Sequence, residues 1–202
     1  MMKNGWFFYS FLALALIPEI GLANESAIST VHIKADIIGE SCRAITLESS
    51  DYYYDLGKFS TTEINNRLFV SPSSRITQNV DVPIEFKCSE GTYANFRIYG
   101  DTSQQCLIKG NPNPTYNLFC SGPNKSVGIS TVFKYQNRDG VTSNMAFFNT
   151  INGKTSTKNI KLNDEKVGIL TMTEIRLHAV DGYSAAEPGK IEGNVLIEMW
   201  EP

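Results

Sequence analysis

Val80-Asp81-Val82-Pro83-Ile84-Glu85-Phe86-Lys87-Cys88 sets the reading of the whole chain. Val80, Val82, Ile84 and Phe86 alternate with polar residues or proline, and the run ends on a cysteine. A period of two places the apolar set on one face of a β-strand. Upstream, Val31, Ile33, Ala35 and Ile37 alternate with His32, Lys34 and Asp36. Downstream, the pattern returns in Val127, Ile129, Thr131, Phe133 and Tyr135, then in Ile175, Leu177 and Ala179, and last in Val195, Ile197 and Met199. Turn dipeptides separate the runs: Asp139-Gly140, Asn152-Gly153, Asp181-Gly182 and Pro188-Gly189. Gly110–Pro114 and Ser121–Asn124 read as loops, and a short stretch near Thr61–Asn66 as the one helical candidate. Many short strands with frequent turns predict an all-β sandwich.

The chain has 202 residues, 42% hydrophobic and 19% charged, with a formal net charge of −3. That composition supports a single packed domain and argues against disorder. No run of Lys and Arg exists to track phosphates, so no nucleic-acid partner is expected. Residues 1–23 read as a signal peptide. Lys3 precedes an apolar run from Trp6 to Ile17, and Gly21-Leu22-Ala23 supplies small residues for cleavage before Asn24. The run is too short to span a bilayer core of about 30 Å.

Export places Cys42, Cys88, Cys106 and Cys120 in an oxidising compartment. No CxxC occurs, and His32 and His178 lie far from any cysteine pair, so disulfides rather than a metal site are expected. Four cysteines allow three connectivities; Cys42–Cys88 with Cys106–Cys120 is favoured, the second closing a short loop. Neither Gly-x-Ser-x-Gly, His-Glu-x-x-His nor a phosphate loop is present, which argues against an enzyme. His32 and His178 both read as outward-facing surface residues, and Asp164 and Glu165 as solvated groups beside a turn.

Thr30-Val-His-Ile-Lys-Ala-Asp-Ile-Ile-Gly-Glu-Ser-Cys42 resembles the start of type 1 and P pilins, subunits of chaperone–usher fimbriae. Val82-Pro-Ile-Glu-Phe-Lys-Cys88 is similar to the strand that ends on the partner cysteine in that family. Asp55-Leu-Gly57, Ser126-Val-Gly-Ile-Ser130 and the ending Pro188–Pro202 resemble further family segments in the same order. Three departures stand out. Ala35 replaces a family glycine, Glu201 stands where a tyrosine is usual, and the pair Cys106/Cys120 is absent from the simplest major pilins. The ungapped alignment of the ending keeps Val195, Ile197 and Met199 inward. Shifting it by one would recover Trp200 as the aromatic but turn Glu198 inward, where an unpaired carboxylate is costly.

The resemblance implies an incomplete immunoglobulin-like β-sandwich lacking its final strand. Residues 24–38 would form an N-terminal donor-strand extension and residues 39–202 the pilin domain. Val31, Ile33, Ala35 and Ile37 would be the donor side chains; Val195, Ile197, Met199 and Trp200 would border the acceptor groove and contact a chaperone. The implied partners are a periplasmic chaperone, an outer-membrane usher and neighbouring subunits, with room for a host-surface ligand. No cofactor and no metal are implied. The implied role is a structural, minor subunit on the bacterial cell surface. Two alternatives remain at this level. The 31–37 stretch, taken without the cysteine positions and the matching ending, reads as the first strand of a complete sandwich. A glycan-binding adhesin is the other, with Tyr52-Tyr-Tyr54 as candidate stacking residues.

Overall fold

A computed structural model describes residues 26–37, 42–45, 51–71, 74–100, 106–111, 117–149 and 157–202. The signal-peptide segment and the Asn152-Gly153 turn lie outside these residues. The fold is all-β with one short helix. In chain order the elements are β1 (Ser26–Ile37), β2 (Cys42–Ala44), β3 (Asp51–Ser60), α1 (Thr61–Leu68), β4 (Arg75–Cys88), β5 (Tyr93–Tyr99), β6 (Val127–Gln136), β7 (Thr142–Phe147), β8 (Lys158–Lys161), β9 (Val167–Ala179) and β10 (Ile191–Trp200). They form two five-stranded sheets, ordered β3-β1-β10-β5-β8 and β2-β4-β9-β6-β7. Every pairing between these strands is antiparallel except β1 with β10, which is parallel.

The period-two runs become strands whose apolar sets meet between the sheets. Ile84, Phe86, Phe96, Ile98, Ile129, Phe133, Leu170, Met172, Val195 and Ile197 are all at most 1% exposed. Phe96 sits edge-on to Tyr135, with ring centroids 4.9 Å apart, so the aromatic side chains also bridge the two sheets. A bulge where β6 meets β9, between Val132 and Phe133, sets Met172 rather than Thr173 opposite Phe133. It keeps Ile175 and Leu177 inward on one side and Leu170 and Met172 inward on the other.

The helical candidate forms as α1, two residues longer than the sequence signal. Ser60 caps it by accepting the Glu63 amide at 3.0 Å, and Glu63 pairs with Arg67 one turn on. Ile64 and Leu68 are fully buried beneath it. Both favoured disulfides are present: Cys42–Cys88 joins directly opposed residues of β2 and β4, and Cys106–Cys120 closes the loop ahead of β6. Asp139-Gly140 and Asp181-Gly182 form turns, with Gly140 and Gly182 at φ 81° and 85°, backbone values that a side chain resists.

The expected all-β architecture is present, and within the single chain β1 lies between β3 and β10. Sheet position β3-β1-β10 is filled, and the segment filling it belongs to the same molecule.

Candidate strand-pairing site

β10 is the centre of the site. Its sequence alternates so that Ile191, Gly193, Val195, Ile197 and Met199 point into the core, each buried. The ungapped frame for the C-terminal segment is therefore the observed one. Trp200 lies on the other face, half-buried, so of the four residues expected to border the groove three face the core and Trp200 faces outward. Gly193 is needed for close approach. A Cβ there would come within 3.0 Å of Ile129 Cδ1 of β6 and 3.1 Å of Phe119 Cβ in the segment ahead of β6.

β1 lies between β10 and β3 and pairs with both. Against β10 its register runs from Ser29 opposite Ile191 to Ile37 opposite Met199, with Ile33 opposite Val195 and Ala35 opposite Ile197. Against β3 it runs antiparallel from Ser26 opposite Ser60 to Lys34 opposite Asp51. A register shift at Ser29/Thr30 passes over Leu56, next to Gly57, whose φ is 82° and whose amide is held by Asp55 Oδ1 at 2.8 Å. The Asp55-Leu-Gly57 segment thus forms a bulge in β3. Val31, Ile33, Ala35 and Ile37 occupy register positions beside Gly193, Val195, Ile197 and Met199; their side chains lie outside the described set. Of the tyrosine trio, Tyr54 packs against the core and Tyr53 is 60% exposed.

On the outer face of the same sheet, Glu198 is buried and ion-paired to Arg97 of β5. The Arg97 guanidinium also lies over the rings of Tyr99 and Trp200, 5.4 and 5.8 Å from their centroids. Trp200 therefore helps to desolvate an ion pair on the outer face. Replacing Arg97 by Ala leaves Glu198 buried without its cation. The expected cost is about 2–3 kcal/mol, at the lower end for a broken buried pair because Arg97 is 36% exposed. Chemical denaturation checks it, and Arg97→Ala combined with Glu198→Leu should recover most of the loss.

Beyond β10, the Glu201 carboxylate accepts the Glu90 amide at 2.7 Å and pins the turn after Cys88. Cys42, Cys88 and Glu201 sit close together, but both sulfurs are bonded to each other and offer no metal ligand. No helix among the described residues is long and apolar enough to cross a membrane.

The other sheet carries a second small core that the sequence did not reveal. Cys106, Leu118, Cys120 and Val180 pack together on its outer face, joined by Ile108, Phe148 and Tyr183. Gly128 makes this possible: a Cβ there would lie 2.6 Å from both Cys120 Sγ and Leu118 Cβ. The cover also corrects the reading of His178 as a surface histidine. Its residue is 8% exposed, and Ser130 Oγ meets Nε2 at 2.8 Å. Burial first, then the nearby charges of Arg176 and Arg75, lowers its pKa to about 4. The available signal was compositional. Gly128 and Ser130 are small residues on the strand beside His178, and the apolar Ile108 and Leu118 of the disulfide loop needed a face to rest on. Asp164 and Glu165 are exposed beside the Asn163–Lys166 turn, as expected.

Compared with protein-family models and with curated proteins, the chain matches none.

Proposed function

We propose that this chain is an exported structural subunit of a surface fibre, resembling the minor pilins of chaperone–usher fimbriae, that joins its neighbours by exchanging an N-terminal β-strand. One observation carries the reading. The N-terminal segment is the strand that fills the interval between β3 and β10, so the rest of the domain leaves a slot of one strand's width at its C-terminal strand. Addition of a strand to such an edge is a known mode of pairing between pilins and their chaperones. In this reading the cis-seated β1 is the closed form of the monomer. A periplasmic chaperone holds the slot open, an outer-membrane usher presents it, and the β1 segment of the next subunit enters. The two disulfides fit an oxidising compartment on that route. No enzymatic step is assigned.

The seating of β1 in its own sheet favours a second reading, a self-complete exported β-sandwich with an ordinary first strand. Co-expression with a chaperone and usher separates the two. The polymerising reading expects ladders of multimers that resist detergent in the cold, dissociate on heating and disappear when residues 24–38 are deleted. A chain that stays monomeric under these conditions belongs to the second reading.

A further inference from the structure

We propose that a cleft at the edge where the two sheets meet binds a sugar ring bearing one carboxylate. The cleft has a volume of about 600 Å³ and lies where β6, β7 and β9 meet the loop between β8 and β9. Lys134 rises from β6, and Lys161 from the end of β8. The Lys161 ammonium reaches to within 3.2 Å of where a Cβ would stand at Gly140, so it leans over the β6–β7 turn and closes one wall. Both lysines are exposed, and neither has a hydrogen-bond or carboxylate partner among the described residues. Lys134 and Lys161 together give the cleft a positive rim that attracts an anion.

The floor supplies the other half of the chemistry. Ile169 is 48% exposed and sits on an outward position of β9 between the half-buried Val167 and Thr171. An exposed isoleucine inside a polar-rimmed concavity offers an apolar patch for the C–H groups of a pyranose. Gln136, exposed and without a partner among the described residues, stands at the rim to meet ring hydroxyls. Asp164 stands on the same rim and opposes a second negative charge, which selects a monoanionic sugar over a polyanion. The cleft is lined by β6, β7 and β9 of one sheet and by the end of β8, the edge strand of the other, and includes neither β1 nor β10, so it does not depend on polymerisation.

The test is a titration of the folded chain with methyl glucuronide, with methyl glucoside as the neutral comparator, followed by backbone amide shifts. The expected result is saturable shifts centred on Gln136, Lys161 and Ile169, with the neutral sugar at least about tenfold weaker. Lys134→Ala and Lys161→Ala should each weaken binding about fivefold, Ile169→Ser should weaken both sugars, and Asp164→Asn should strengthen the acidic one. All four positions are at the surface, so unchanged melting temperatures certify the variants. Equal response to the two sugars, shifts located elsewhere, or undiminished binding in the double lysine variant would overturn the assignment.

Discussion

Removal of residues 24–38 is expected to lower the melting temperature by about 10–20 °C or to drive the chain into aggregates. Two losses act together. The facing edges of β3 and β10 lose their hydrogen-bond partners along the whole of β1. Val195, Ile197 and Met199, now at most 1% exposed, acquire an open flank. Partial uncovering of three aliphatic side chains costs on the order of 5 kcal/mol as an upper estimate, against a typical total stability of about 5–15 kcal/mol. A synthetic peptide covering residues 26–37 should restore the lost stability in a concentration-dependent way. Where the shortened chain cannot be isolated, refolding it with and without the peptide gives the same information, since soluble product is expected only with the peptide. A shortened chain that melts within a few degrees of the whole one and ignores the peptide would show that no slot exists, and the strand-exchange proposal would fall with it.

The second large effect is expected below neutrality. His178 titrates near 4 in the folded protein and near 6.5 when unfolded, because burial against Ser130 and Phe148 and the flanking Arg176 and Arg75 disfavour the imidazolium. The folded state therefore binds fewer protons than the unfolded state between these values. Its advantage is fully present above pH 6.5 and is lost as the pH falls from about 6.5 to about 4. A shift of this size corresponds to a loss of up to about 3 kcal/mol. Carboxylates add their own slope in the same range, so the measurement is a difference: urea denaturation of the protein and of His178→Gln at several pH values. The two should diverge as the pH rises through this window and run parallel above it. Parallel curves throughout would mean that His178 protonates freely in the folded state.

The strands were legible because each rests on a local signal, and the Cys106–Cys120 bridge because it closes a short loop, whereas Cys42–Cys88 joins residues 46 positions apart. Alternation around Val82-Pro-Ile-Glu-Phe-Lys-Cys88 needed no knowledge of what packs against it, and the C-terminal frame followed from the cost of turning Glu198 inward. What the strand from 26 to 37 pairs with was not legible. A period of two fixes which residues share a face, but it does not say whose edge the strand meets or in which direction it runs. The outer-face structure was hidden for a related reason. His178 alternates outward as read, yet outward is not exposed when a disulfide loop folds over Gly128. Glu198 likewise faces away from the core and is still buried, because Arg97, Tyr99 and Trp200 gather around it from positions that no local pattern connects.

The parallel run of β1 beside β10 fixes the poles of the molecule. Ser29 lies abreast of Ile191 and Ile37 abreast of Met199, so the two strands begin at one end and finish together at the other, roughly 25–30 Å away. Pro202 thus leaves from the pole opposite the amino-terminal entry. A second copy of the segment grafted behind Pro202 through a tight hairpin reaches the slot only by doubling back against β10, because a parallel entry would require a connection long enough to return along the whole domain. Such a graft and the native leading strand compete for one seat from opposite directions, and a graft with a short or a long tether would reveal which direction the seat prefers.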